Sequence, residues 1–279
     1  MTGSLARMRG SGLREVLIFG AALLAYQATR GVAIGDASTA IANGWDIVRL
    51  ERAFSLDVEP LVQGWVLSRD SLAAGLNTFY LVAHLPITAA FFVWVYRRHR
   101  DRYPLIRNAF LAANAVALVA FVLHPVAPPR LLSGAGFVDT LSTVSNVDLH
   151  NGALSGWFNP YAAVPSMHFG YALLVGVGLT VLARGWAVRS VGLIYPGVVL
   201  VVIVATANHF VVDAVAGAAV VLAGLGLSAL PRLRVWRSLR RAACGHRAAP
   251  VSRLDRDVAR PTCAVPQRSG CQESASACR

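Results

Sequence analysis

Residues 190–230 read SVGLIYPGVVLVVIVATANHFVVDAVAGAAVVLAGLGLSAL, and Asp213 is the one formally charged side chain among them. Two apolar runs, 190–208 and 210–230, flank His209. Each is close to the roughly 20 residues that cross the hydrocarbon of a bilayer as a helix. The chain is therefore expected to cross, reverse in a tight turn at His209, and cross back. On the helix that follows, His209 and Asp213 stand four residues apart and share a face. A carboxylate on Nδ1–H would fix the imidazole tautomer and leave the Nε2 lone pair outward, the state needed to attack phosphorus.

Working outward, further apolar runs cover 14–34, 77–96, 106–123 and 166–183. Six candidate spans predict an all-α, polytopic membrane protein, a six-helix bundle over 14–230. A 56% hydrophobic content, 14% charged residues and a mean hydropathy of +0.54 exclude an ordinary soluble domain. The first run contains Gln27 and Arg30 and follows Arg7, Arg9 and Arg14. No small-x-small cleavage site follows it, so we read a retained helix rather than a signal peptide, with Arg30 snorkelling to the interface.

Arginine placement sets the orientation. Arg97, Arg98, Arg100, Arg102 and Arg107 crowd one connection, Arg184 and Arg189 another, and the chain beyond 231 is strongly basic. These read as cytoplasmic. The connection 124–164 has Arg130 as its only basic residue besides histidines, and reads as extracytoplasmic. An even number of spans returns both termini, including the short basic segment 1–13, to the cytoplasmic side. Arg130, His168, His209 and Asp213 then meet at the outer face.

His168 lies in Val164-Pro165-Ser166-Met167-His168, 41 residues before His209. Facing His209 across a phosphate, it would protonate a leaving oxygen and later activate water or an alcohol. Arg130 closes Pro125-Val126-Ala127-Pro128-Pro129-Arg130. Its guanidinium suits phosphate in a forked geometry and keeps its charge.

These stretches resemble the type 2 phosphatidic acid phosphatase superfamily, which includes the vanadium haloperoxidases. Its second motif reads Pro-Ser-Gly-His and its third ends His-x-x-x-Asp. Pro165-Ser166-Met167-His168 and His209 to Asp213 match, over a resemblance spanning roughly 45–230. With Ala162-Ala163-Val164 and Pro128-Pro129-Arg130, the chain looks nearest the inositol phosphorylceramide synthase (inositolphosphotransferase) branch. The resemblance implies that His209 is the nucleophile of a phosphohistidine mechanism and Asp213 its orienting partner. It implies His168 as general acid and Arg130 and Ser166 as phosphate ligands. The family's third motif has an arginine where this chain has Ile203, its first motif has a lysine, and this chain has no lysine at all. Met167 replaces the motif glycine. These departures draw the resemblance toward transferases and away from plain lipid phosphatases. The soluble haloperoxidases are disfavoured.

Trp45, Ile47, Val48, Leu50, Phe54, Leu56 and Trp65 alternate with Asp46, Arg49, Glu51, Arg52, Asp57 and Glu59 across 35–76. That segment is expected along the outer interface, either packed over the bundle or forming a lateral mouth for a head group. Asn77, Tyr80 and His84 share one inward face, where Tyr80 and His84 serve either interhelical hydrogen bonding or the head group. His124 reads as interfacial, His150 as solvated, and Asn159 and Tyr161 as shaping the turn before Pro165. Glycines 170, 176, 178, 217, 224 and 226 are expected to permit close helix packing.

Residues 231–279, Arg-, Pro-, Ser- and Ala-rich, read as a disordered cytoplasmic tail whose basic cluster attracts anionic lipid. They hold all four cysteines at spacings unlike a zinc site. No metal, cofactor or nucleic-acid partner is expected; the partners are membrane lipids and a lipid phosphate or phospholipid substrate. Arginine-only basic usage points to a high-GC bacterial genome and a bacterial plasma membrane. Oligomeric state, head group and acceptor stay open. The function read here is a phosphoesterase or phosphotransferase acting on lipid phosphates or phosphodiesters. The alternatives are a polyprenyl or phosphatidate phosphatase and a non-catalytic lipid-binding or lipid-flipping protein.

Overall fold

The computed structural model describes residues 12–22, 24–25, 37–147 and 159–245. Their regular structure is helical, with one isolated bridge pairing Val126 and Ala162 and irregular connections between the helices. Helix α1 covers 12–22. Helices α2 (Ala37–Ala53) and α3 (Glu59–Leu67) follow, then α4 (Asp70–Thr78), which passes through a π turn, Phe79–Ala83, into α5 (His84–Arg98). Pro86, three residues beyond the π turn, has no N–H to give Val82, and its ring crowds that carbonyl; widening the helix there relieves both. Next come α6 (Tyr103–Leu123), a short α7 (Thr140–Thr143), α8 (Met167–Leu182), α9 (Trp186–Ala205) and α10 (Val211–Gly245). Two compact units divide the chain at Leu233 and Arg234. The expected tail lies mostly beyond the described residues, as do His150 and much of the run 14–34.

Among the described residues, four helical stretches are long and apolar enough to cross a membrane: Asp70–Arg98, Tyr103–Leu123, Trp186–Ala205 and Val211–Leu230. Helix α8 is apolar but has only 16 residues. It is short because Ser166 caps its start, the hydroxyl accepting from Phe169 N at 3.4 Å, and Ala183 ends it in extended backbone. The stretches keep large apolar side chains on the outside, among them Leu85, Val119, Leu193, Ile194, Val201 and Leu222. In water that exterior would be unfavourable; in lipid it is the expected solvent contact.

Small residues set the helix spacing. A Cβ on Gly176 would lie 2.5 Å from Gly192 O, and one on Gly178 2.3 Å from Phe91. The backbones of α8 and α9 therefore touch where a side chain would part them. Gly170, Gly217 and Gly224 stand at similar approaches, but Gly226 has open space around it and does not serve packing. Helix α1 docks by Phe19, whose ring centroid lies 5.2 Å from that of Phe92, and by Glu15, which pairs with Arg107 at 2.6 Å.

The segment 37–67 packs over the loop that carries Arg130. Ala127 N donates to Ala40 O at 2.9 Å, and Asn43 Nδ2 to Pro125 O at 2.8 Å. Gly44 lets α2 come this close, since a Cβ there would lie 2.8 Å from Ala127 O. Gln63 clasps Val138 through both of its backbone groups. The segment thus packs over this loop and, through Val66, beside Ala205 at the end of α9.

Candidate active site

Four chain segments bind one another before any side chain acts. Val126 N donates to Tyr161 O at 2.9 Å and Ala163 N to Val126 O at 3.2 Å, tying the proline-rich loop to the segment that ends in Pro165. Arg130 N donates to Ala207 O at 3.0 Å, and Ser166 N to Asp213 O at 2.9 Å. The turn between α9 and α10 is tight, as expected: Asn208 N and His209 N both donate to Ile203 O, and Ala207 takes a φ of 51°. A left-handed alanine carries strain that the surrounding hydrogen bonds hold in place.

His209 is 5% exposed. Its Nδ1 lies 3.0 Å from Ala163 O and 3.3 Å from Asp213 Oδ2. A carbonyl and a carboxylate only accept, so Nδ1 carries the proton and is shared between them. In the neutral ring Nε2 then holds the lone pair. Asp213, fully buried, also accepts from Phe210 N at 2.9 Å through Oδ2, while its Oδ1 has no hydrogen-bond partner among the described residues. The first turn of α10 thus presents Asp213 to His209, which lies in the turn before that helix rather than on its face as expected.

His168 sits in the first turn of α8, with its ring centroid 5.6 Å from that of His209. It stacks on Tyr80 at 4.3 Å and meets His84 at 4.8 Å. His84 in turn stacks on Tyr171 at 5.7 Å. His84 is 3% exposed and neither ring nitrogen has a hydrogen-bond partner among the described residues. Tyr80 and His84 thus lie against His168, on either side of the π turn's end. Asn77, from the same face, is instead engaged by Thr140 and Ser145.

Arg130 joins the cluster through the residue before His209: its Nε donates to Asn208 Oδ1 at 3.0 Å. A terminal nitrogen pairs with Asp139 at 3.2 Å, and the side chain is only 4% exposed. Ser166 is fully buried and engaged as the cap of α8. His124 lies exposed just past α6, and Asn159 Oδ1 accepts from Tyr161 N at 2.9 Å, shaping the turn.

Glu51 and Glu59 are the residues that sequence reading missed. Their interleaving with apolar residues put them on the wet side of an interfacial segment. They are in fact 2% and 1% exposed. Glu59 Oε1 accepts from Val211 N and Glu51 Oε1 from Val212 N, each at 2.9 Å. Burial and the nearby carboxylates hold the Glu51 carboxyl up at about 8, against the pull of the Val212 N–H.

A family model described as PAP2 superfamily matches residues 45–227, about two thirds of the chain. No curated protein and no solved structure matches it.

Proposed function

The chain belongs to the PAP2 superfamily, and from that premise we propose a membrane-embedded phosphotransferase that acts on a lipid phosphodiester through a phosphohistidine on His209. Membership itself supports a phosphatase-type lipid phosphoesterase, and the long apolar helices support an integral membrane protein. The observation that carries the finer reading is His209, with Nδ1 held by two acceptor-only groups and its ring beside His168.

In the first step His209 Nε2 attacks phosphorus, the bond to the leaving oxygen breaks, and that oxygen takes a proton from His168. Asp213 offsets the positive charge that develops on His209. In the second step an acceptor hydroxyl returns a proton to His168 as its oxygen attacks phosphorus and the P–N bond breaks. Arg130, with backbone N–H groups and Ser166, would hold the phosphoryl oxygens.

The charge around the site favours a phosphodiester over a phosphomonoester. Ile203 stands where the family has an arginine, the chain has no lysine, and Arg130 is already paired with Asp139. One partly neutralised cation suits a monoanion better than a dianion. An inositolphosphotransferase-like exchange of head groups fits that charge. The second reading, a phosphatidate or polyprenyl phosphate phosphatase with water as acceptor, draws on the family itself. On either reading the site lies at the outer face of a bacterial plasma membrane, within six spans and with both termini cytoplasmic.

The test is purified protein in detergent with EDTA, given phosphatidate, polyprenyl phosphates and phosphatidylinositol, with His209→Ala alongside. A new head-group lipid without free phosphate supports the transferase; free phosphate, lost in the mutant, supports the phosphatase. Turnover that survives His209→Ala refutes both, and no turnover by wild type favours a non-catalytic lipid-binding protein.

A further inference from the structure

Three consecutive backbone amides at the start of α10 are accepted by three different buried carboxyl groups. Phe210 N donates to Asp213, Val211 N to Glu59 and Val212 N to Glu51, each at 2.9 Å. Glu59 and Glu51 come from α3 and α2, 152 and 161 residues away in the chain. Negative charge is favourable at a helix N-terminus, but three full charges buried together, with a single imidazole beside them, are not. Burial and the neighbouring carboxyls raise Glu51 to about 8, so at neutral pH Glu51 carries a proton. A protonated Glu51 keeps an oxygen for Val212 N–H and has an O–H that a neighbouring carboxylate can accept.

We propose that Glu51 and Glu59 are positioning residues that hold one proton between them and clamp the first turn of α10, keeping His209 and Asp213 in the register from which His209 faces His168. The proposal rests on the catalytic reading above for its effect on turnover, and on the carboxyl pair alone for the proton. The titratable groups that bear on Glu51 are Glu59 from α3 and Asp213 from α10, the latter already engaged with His209. Loss of the shared proton would set two carboxylates against each other beside a third. The clamp would open, and with it the alignment of the two histidines.

The experiment compares the full chain in detergent as wild type, Glu51→Gln and Glu51→Ala, following turnover against pH with whichever lipid the wild type converts. Glutamine keeps an oxygen for Val212 N–H and donates to Glu59 without ionising, so Glu51→Gln retains kcat and its alkaline limb moves upward by at least one pH unit, on the order of the shift that removing one charge produces. Glu51→Ala lowers kcat about 10- to 100-fold, as expected for a displaced catalytic group, while KM changes little and unfolding stays cooperative. Equal kcat in Glu51→Ala and wild type overturns the proposal, and so does an unmoved alkaline limb in Glu51→Gln.

Infrared difference spectra give a readout independent of turnover. Wild type is expected to lose a carboxylic-acid C=O band as pH rises through about 8, and Glu51→Gln to lack that band. Absence of the band from wild type overturns the shared proton even if the enzyme is active. Its presence in a protein that turns over no lipid leaves the carboxyl pair standing while the catalytic reading fails.

Discussion

Gly217→Ala tests the helix spacing that brings His168 and His209 together. Gly217 lies one turn beyond Asp213 on α10, and a Cβ there would sit 2.1 Å from Ser166 O and 3.0 Å from Ser166 C. Both are backbone atoms at the cap of α8, which carries His168 two residues on, so no flexible side chain can give way. Real Cβ contacts scarcely fall under 3.0 Å, so the two elements must part by about 1 Å. The same shift strains the bond from Ser166 N to Asp213 O, now 2.9 Å. Overpacking of this kind costs about 1–3 kcal/mol of stability. Its catalytic effect is larger, because a displacement near 1 Å between reacting groups lowers turnover about 100-fold. Phosphate release or product formation at saturating lipid measures kcat, thermal unfolding in the same detergent measures the folded fraction, and Gly226→Ala, in open space, is the control. A folded Gly217→Ala protein with wild-type kcat would refute the view that this contact sets the distance from His168 to His209.

Asp213→Asn removes the charge that offsets a cation on His209, and because Oδ2 serves both Phe210 N and His209 Nδ1, an amide turned to present N–H there loses the Phe210 bond and favours the wrong tautomer. A fall in kcat of roughly 10³-fold is expected, measured with KM little changed. Arg130→Lys removes the fork that joins Asn208 to Asp139, and kcat/KM should fall about 10- to 100-fold, with Arg130→Lys no better than Arg130→Gln. His84→Phe should leave the melting temperature equal or higher, since two unpartnered ring nitrogens are removed from a buried site, yet reduce kcat if they serve the substrate; unchanged kcat would assign His84 to packing alone. Stability should also fall with pH in the window set by Glu51. Its carboxyl is raised from 4.5 to about 8, so the folded state binds more protons than the unfolded one across that range. The stabilisation is complete below 4.5 and lost by about 8. Denaturant midpoints of Glu51→Gln should show a flatter slope there than wild type.

The legible part of the site is its local part. His209 lies in the turn two residues before α10 and Asp213 in the first turn of that helix, so the contact expected from their spacing forms although only Asp213 is helical. The apolar runs likewise announced the helices around them, because a span is a property of contiguous composition. Helix α4, by contrast, begins at Asp70, seven residues before the expected 77, since its first turns pack on protein rather than on lipid. Glu51 and Glu59 show the limit more sharply. Their neighbours give the alternation of an interfacial helix, and nothing within α2 or α3 states that both carboxyls are buried. That follows from two amide donors more than 150 residues away, and an unpaired amide leaves no mark in a sequence.

The same carboxyl groups bear on the charge that the site can accept. Asp213, Glu51 and Glu59 occupy the amides of the helix start that would otherwise be available to an anion, and Asp139 takes part of Arg130. A dianionic phosphate would therefore meet one shared guanidinium and a helix terminus already claimed by acids. A phosphodiester brings half that charge and leaves the shared proton of Glu51 and Glu59 undisturbed. On the proposed reading, raising the positive charge should move the preference toward monoesters. Ile203 is fully buried, so an arginine restored there would have to reach the phosphate or unfold the turn. If a folded Ile203→Arg protein gained no activity on phosphatidate relative to phosphatidylinositol, cation number would not be what selects the substrate.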